Sequence, residues 1–162
     1  MSTVHSAQPT SYTHTLRITF AYDGPKLEIK RVQRVAMLAP AAPPFSPAEN
    51  QTGYWLEVRD RDGALLYHRP MHDPLHRHIE SFGDAPGTAM RRHASNITKG
   101  EFDVLVPDLP GAQTFRLNGP SAERRTAAPS DSLSAPSGSL GEHSFDELRD
   151  LAQRDAVQGG AR

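Results

Sequence analysis

The sequence predicts an all-β protein, an antiparallel sandwich of about seven to eight strands followed by a disordered linker and a short C-terminal helix. Three observations carry this. Leu16, Ile18, Phe20 and Tyr22 alternate with Thr15, Arg17, Thr19 and Ala21, and the same period of two returns at Tyr54/Leu56/Val58, Phe102/Val104/Val106 and Phe115/Leu117. A strand sends successive side chains to opposite faces, so each run has one apolar and one polar face. Turn residues such as Asp23-Gly24-Pro25 and Asp62-Gly63 punctuate the runs. At Gly119-Pro120 the composition changes to Ser, Ala and Pro, with few large apolar residues.

In chain order, the first strand is expected at about 13–22 and the second at 26–38. In the second, the apolar set starts at Leu27 and Ile29 and resumes at Val32, Val35 and Met37, so parity slips near Lys30-Arg31. A β-bulge or a change of sheet accounts for such a slip. Residues 39–53 hold Pro40, Pro43, Pro44 and Pro47 and read as a long connection that also fits a polyproline ligand. Residues 54–69 form a hairpin, with Asp62-Gly63 as the central pair of a type I′ turn. Residues 68–78 are broken by Pro70 and Pro74 and read as a loop. Strands are expected again at 77–82, 88–93, 101–106 and 113–118.

Residues 1–12 read as disordered, 13–119 as the β-domain and 120–143 as a linker that cannot bury enough surface to offset chain entropy. A helix is predicted at 144–158, and 159–162 reads as disordered. Ser144 and Glu147 have the spacing of a capping box, and Phe145, Leu148, Leu151, Ala152 and Ala156 lie on one helical face. Alone in water such a helix is marginal, so it needs a surface to lie on. Either it docks back on the sandwich as a terminal brace, or it binds another protein on its tether, the reading that the long linker favours.

Charge is balanced, with 18 Lys+Arg against 19 Asp+Glu, and the basic residues form only doublets. That argues against nucleic acid as a partner. The absence of cysteine removes disulfides, thiolate metal sites and a cysteine nucleophile. No classical signal peptide and no apolar run of membrane-spanning length is present, so a cytoplasmic protein without membrane partners is expected.

Few residues suggest chemistry. His68, His72, His76 and His78 crowd one segment, and imidazole is a common metal ligand. The intervening prolines oppose the helix that would align them, and no H-E-x-x-H occurs. Asp60-x-Asp62-Gly63 lacks the later acidic ligands of a calcium loop. Nucleophile-elbow and phosphate-loop motifs are absent. Trp55 falls by parity on the polar face with Glu57 and Arg59. Near the strand start it is expected to pack under the 39–53 connection, and the competing reading is an outward interface anchor or sugar platform. The expected function is therefore a non-catalytic protein-binding or scaffold module without cofactors. Trp55 and the helix side chains Phe145, Leu148 and Leu151 are its candidate partner-binding residues, with a sandwich face as a further surface. Metal chemistry at His68, His72, His76 and His78, and carbohydrate binding through Trp55, are the alternatives.

The strand order and turn chemistry resemble bacterial immunoglobulin-like sandwiches. More narrowly, the run Thr15-Leu-Arg-Ile-Thr-Phe, the run Tyr54-Trp-Leu-Glu-Val-Arg-Asp and the hairpin segment Gly63-Ala-Leu-Leu-Tyr67 are similar to the N-terminal accessory sandwich of IgA-peptidase-type zinc metallopeptidases. The similarity spans residues 15–69, about a third of the chain. That family's zinc-binding catalytic domain has no counterpart here, so the resemblance implies a non-catalytic accessory module, and no catalytic residue carries over.

Overall fold

A computed structural model describes residues 11–42, 53–75, 78–81, 91–94, 97–120 and 137–159. The described chain is antiparallel β-structure with one C-terminal helix. Strand β1 (Thr15–Asp23) lies between β2 (Lys26–Val35) and β7 (Lys99–Pro107) in a three-stranded sheet. A four-stranded sheet runs in the order β4 (Leu65–Met71), β3 (Tyr54–Arg59), β8 (Thr114–Pro120), β9 (Ser137–Ser144). Strands β5 (His78–Ser81) and β6 (Arg91–Ala94) pair with each other and with no other described strand, and α1 spans Phe145–Gly159.

The alternation seen in the sequence becomes the core. Leu16, Ile18, Phe20, Val32, Val104 and Val106 from the first sheet meet Leu56, Val58, Phe115 and Leu117 from the second in one apolar cluster, all but sealed from water. Removing so much apolar surface from water is the main force holding the sheets together. Phe20 sits at its centre, with ring centroids 5.4 Å from Phe102 and 6.2 Å from Phe115. The parity slip in β2 is a bulge: Thr19 pairs with Arg31 and Phe20 with Ile29, leaving Lys30 as the extra residue. The bulge returns Val32 to the core side.

Three expectations need correction. The hairpin turn is not centred on Asp62-Gly63. Gly63 N–H donates to Asp60 C=O at 3.1 Å, which makes Arg61 and Asp62 the central pair, and Gly63 follows at φ 80°. The Asp60 carboxylate accepts from the Asp62 and Ala64 amides at 2.9 and 2.8 Å. This side-chain tie favours the longer loop over the two-residue turn. Second, β4 runs through Pro70 to Met71. It is an edge strand, and proline is tolerated where no neighbour needs its missing N–H. Third, Ser137–Ser144 is not linker but β9, paired along β8 from Thr114↔Ser144 to Pro120↔Ser137. Its small polar residues have little strand preference of their own. Pairing with β8 supplies the order, together with Leu140 and His143, whose side chains pack inward. Gly119 allows this close approach: a Cβ there would stand 2.6 Å from the Tyr54 ring and 2.7 Å from Leu140.

Tyr12, expected in the disordered N-terminus, is tied to the body. Its hydroxyl accepts from Ala39 N–H at 3.1 Å. The proline-rich run from 43 to 52 and the linker from 121 to 136 lie outside the described residues. Among the described residues, no helix is long and apolar enough to cross a membrane.

Candidate functional site

Two packed sheets leave two open sides, one between each pair of edge strands. Here the edges are β2 and β9 on one side and β7 and β4 on the other. The two sides are treated differently.

Helix α1 fills the first. Phe145 and Leu148 are 0% exposed and Ala152 is 3% exposed within the main core, with Leu151 packed against it. The helix starts directly at the end of β9, where Phe145 N–H donates to Gln113 C=O at 2.9 Å. Asp155 Oδ2 accepts from the Val32 backbone N–H at 3.0 Å, engaging an amide on the β2 edge. Arg149 Nε donates to Asp108 Oδ1 at 3.0 Å, Arg34 Nε donates to Asp108 Oδ2 at 2.8 Å, and an Arg149 terminal nitrogen reaches Leu109 C=O at 2.9 Å. Burial alone would raise the Asp108 carboxyl, but the two guanidinium groups outweigh it and hold it below the ordinary carboxylate range. The helix face expected to await a partner is thus occupied by the protein's own core. An amphipathic helix too short to persist alone has found its apolar surface within the chain.

On the second side no described element does the same. A cavity of about 360 Å³ lies there, lined by Arg69, Pro70, Met71 and His72 on the β4 side and by Asp103 and Val104 on β7. Asp103 projects from the outer face of its sheet and Val104 from the core face, so a space touching both bends around the β7 backbone edge. β7 pairs with β1 along its whole length, and no other described strand is bonded to its far side. Unpaired strand edges carry rows of N–H and C=O groups ready for another strand. Asp103 Oδ1 accepts from the Thr19 hydroxyl at 2.7 Å and Oδ2 from Arg17 Nε at 2.8 Å. The Thr19 hydrogen bond first, then the Arg17 bond and charge, hold its carboxyl below the usual range against the opposing effect of burial. Arg69, directly opposite the core residue Leu56 on β3, lies beside the Tyr67 phenol and has no carboxylate partner among the described residues.

The remaining candidates distribute as follows. Trp55 shares a face with Glu57 and Arg59, as parity predicts, but it is only 8% exposed and is not a surface anchor. Its indole N–H donates to Glu57 Oε1 at 2.8 Å, and Arg59 Nε donates to Glu57 Oε2 at 2.8 Å. Burial tends to raise the Glu57 carboxyl, but these two hydrogen bonds with the Arg59 and His68 charges lower it overall. A tryptophan and an arginine both serving one carboxylate make a structural network on this sheet face. His68 joins it, with its ring 6.5 Å from the Trp55 ring, and burial lowers its pKa. His72 lines the open side instead. His76 lies outside the described residues, and for His78 only the backbone in β5 is described. Among the described residues no three His, Cys, Asp or Glu side chains gather as a metal would require.

Sequence reasoning missed Arg69 and Asp103, because a free strand edge is a property of sheet order rather than of any local motif. It also missed His143, whose ring stacks on Phe115 at 6.3 Å and lies tilted against Phe20 at 6.1 Å. Compared with protein families, curated proteins and solved structures, the chain finds no match.

Proposed function

We propose that the chain is a non-catalytic protein-binding module on an immunoglobulin-like sandwich, and that it takes an extended segment of another protein as an added strand along the free edge of β7. The observation that carries this reading is the single cavity reaching from Asp103 around to Val104 and across to Arg69–His72 on β4. Strand addition draws affinity from main-chain hydrogen bonds and specificity from alternate side chains. The cavity volume falls in the range of small binding sites, and the lining holds apolar surface from Met71 and Val104 beside a few polar groups. The accessory-domain resemblance of residues 15–69 points the same way, toward recognition without catalysis. In this reading α1 completes the body, and the partner is met on the opposite side.

The test is selection of short linear peptides on the full-length protein, followed by hydrogen exchange with a selected peptide bound. Slowed exchange of β7 amides between Glu101 and Leu105 is the expected result. Binders that leave β7 and β4 amides untouched would place recognition elsewhere and end this reading.

A further inference from the structure

We infer that the segment accepted at the β7 edge is acidic, and that it presents one carboxylate to Arg69. The inference rests on the strand-addition reading above and names the chemistry of what is added. A strand laid along β7 directs alternate side chains to the two faces of the sheet. Those on the core face of β7, the side from which Val104 projects, enter the space bounded by Met71 and Arg69. An apolar side chain suits Met71 and Val104. A neighbour of the same parity reaches the guanidinium.

Charge decides what that neighbour is. Asp103, the carboxylate in the lining, is already engaged by the Thr19 hydroxyl and Arg17, and Arg31 also lies within its electrostatic reach. Glu101, two residues along β7, is paired with Lys30. The acids on this edge are therefore answered from within the protein. Arg69 has no carboxylate partner among the described residues, only a hydrogen bond to the Tyr67 phenol, and a guanidinium binds a carboxylate with two parallel hydrogen bonds. The other cavity at a guanidinium pair makes the contrast. It measures about 420 Å³ and is lined by Arg34, Arg149 and Asp108, but there both cations already hold Asp108. There two guanidinium charges already share one carboxylate, whereas on the β4/β7 side Arg69 has none among the described residues and lies beside a β7 edge that no described strand pairs.

The experiment is a parallel selection of displayed short linear peptides on the full chain and on its Arg69→Gln and Arg69→Lys variants. Thermal unfolding confirms that each variant is folded. Peptides from the unmodified protein are expected to carry Asp or Glu at one position, with apolar residues two places away. Changing that acid to its amide in a synthetic peptide should weaken binding by about tenfold or more, as loss of a charge-assisted hydrogen bond does. Arg69→Gln should abolish the acidic preference and Arg69→Lys retain part of it. An acidic preference that survives Arg69→Gln overturns the assignment to Arg69. Enrichment of Lys or Arg overturns it in favour of Asp103. Binders that protect β7 amides but show no charge preference overturn the acidic inference and leave strand addition standing. If no linear peptide is retained, or if the chain dimerises through this edge and excludes peptides, both readings fall, the last case in favour of a second copy.

Discussion

The two open sides of this protein begin alike and end differently. Each is bounded by one strand from each sheet, and each has an arginine-lined cavity at its rim. On the β2/β9 side the chain supplies its own stopper. Phe145 and Leu148 enter the core, Asp155 meets the Val32 amide, and Asp108 holds Arg34 and Arg149 together. On the β4/β7 side nothing among the described residues does the equivalent. The lesson is that burial and hydrogen bonding are spent on stability at one edge and left available at the other. Substitutions should therefore sort by side, with stability lost on the first and recognition on the second.

Removing residues 137–162 should have the largest effect. It deletes the β8 partner strand and the helix together, and the remainder should lose cooperative urea unfolding altogether. A shortened chain that still unfolds in one sharp transition would dissolve the contrast between the sides. Next, Phe145→Ala should cost about 3–5 kcal/mol, because a fully buried ring leaves a cavity behind. Met71→Ala, on the half-buried rim of the other side, should cost under about 1.5 kcal/mol. Equal losses at these two positions, measured in the same urea series, would show that the open side is as integral to the core as the plugged one. Asp108→Ala should follow at about 1–3 kcal/mol, since it removes the shared acceptor of two guanidinium groups. Half of Arg34 is exposed to solvent and screens its share. Asp155→Ala should cost about 1 kcal/mol, one hydrogen bond to the β2 edge.

The smallest effect sharpens the comparison by pH. Burial lowers the pKa of His143, with the Glu147 charge opposing. Its folded value therefore lies below the unfolded value of about 6.5. The stability it contributes is complete above that unfolded value and is lost as pH falls toward the folded one. Stability measured from pH 7 to pH 5 should fall, and His143→Phe should fall less steeply. Identical slopes for the two proteins would mean that the ring is not desolvated between Phe20 and Phe115.

How much of this was legible in the sequence depends on how locally each element is determined. The strands with strong alternation, β1, β3, β7 and β8, were found close to their observed bounds, and the bulge at Lys30 showed as a slip in the apolar pattern. The position of α1 was legible from Ser144, Glu147 and the spacing of Phe145 and Leu148. What it lies on was not, because an apolar stripe does not say which apolar surface it will meet. Strand β9 was invisible for a related reason. Ser137-Gly138-Ser139 has no inherent reason to extend, and its order comes from the β8 edge beside it. The parity of Trp55 was legible, and so was the preference of a large aromatic for a packed site; the hydrogen bond from its indole to the Glu57 carboxylate was not. The candidate site was the least legible part. It consists of what two strands do not pair with.

The late position of β9 and α1 has a consequence for how the protein is made. Pro120 and Gly159 are 39 residues apart along the chain, so at ordinary rates of synthesis roughly 2–8 seconds pass between them. Through that interval the β8 and β2 edges exist without the strand and helix that finish them. The nascent protein is a half-closed book for seconds, and a chaperone that shelters exposed strand edges would find its client in that window.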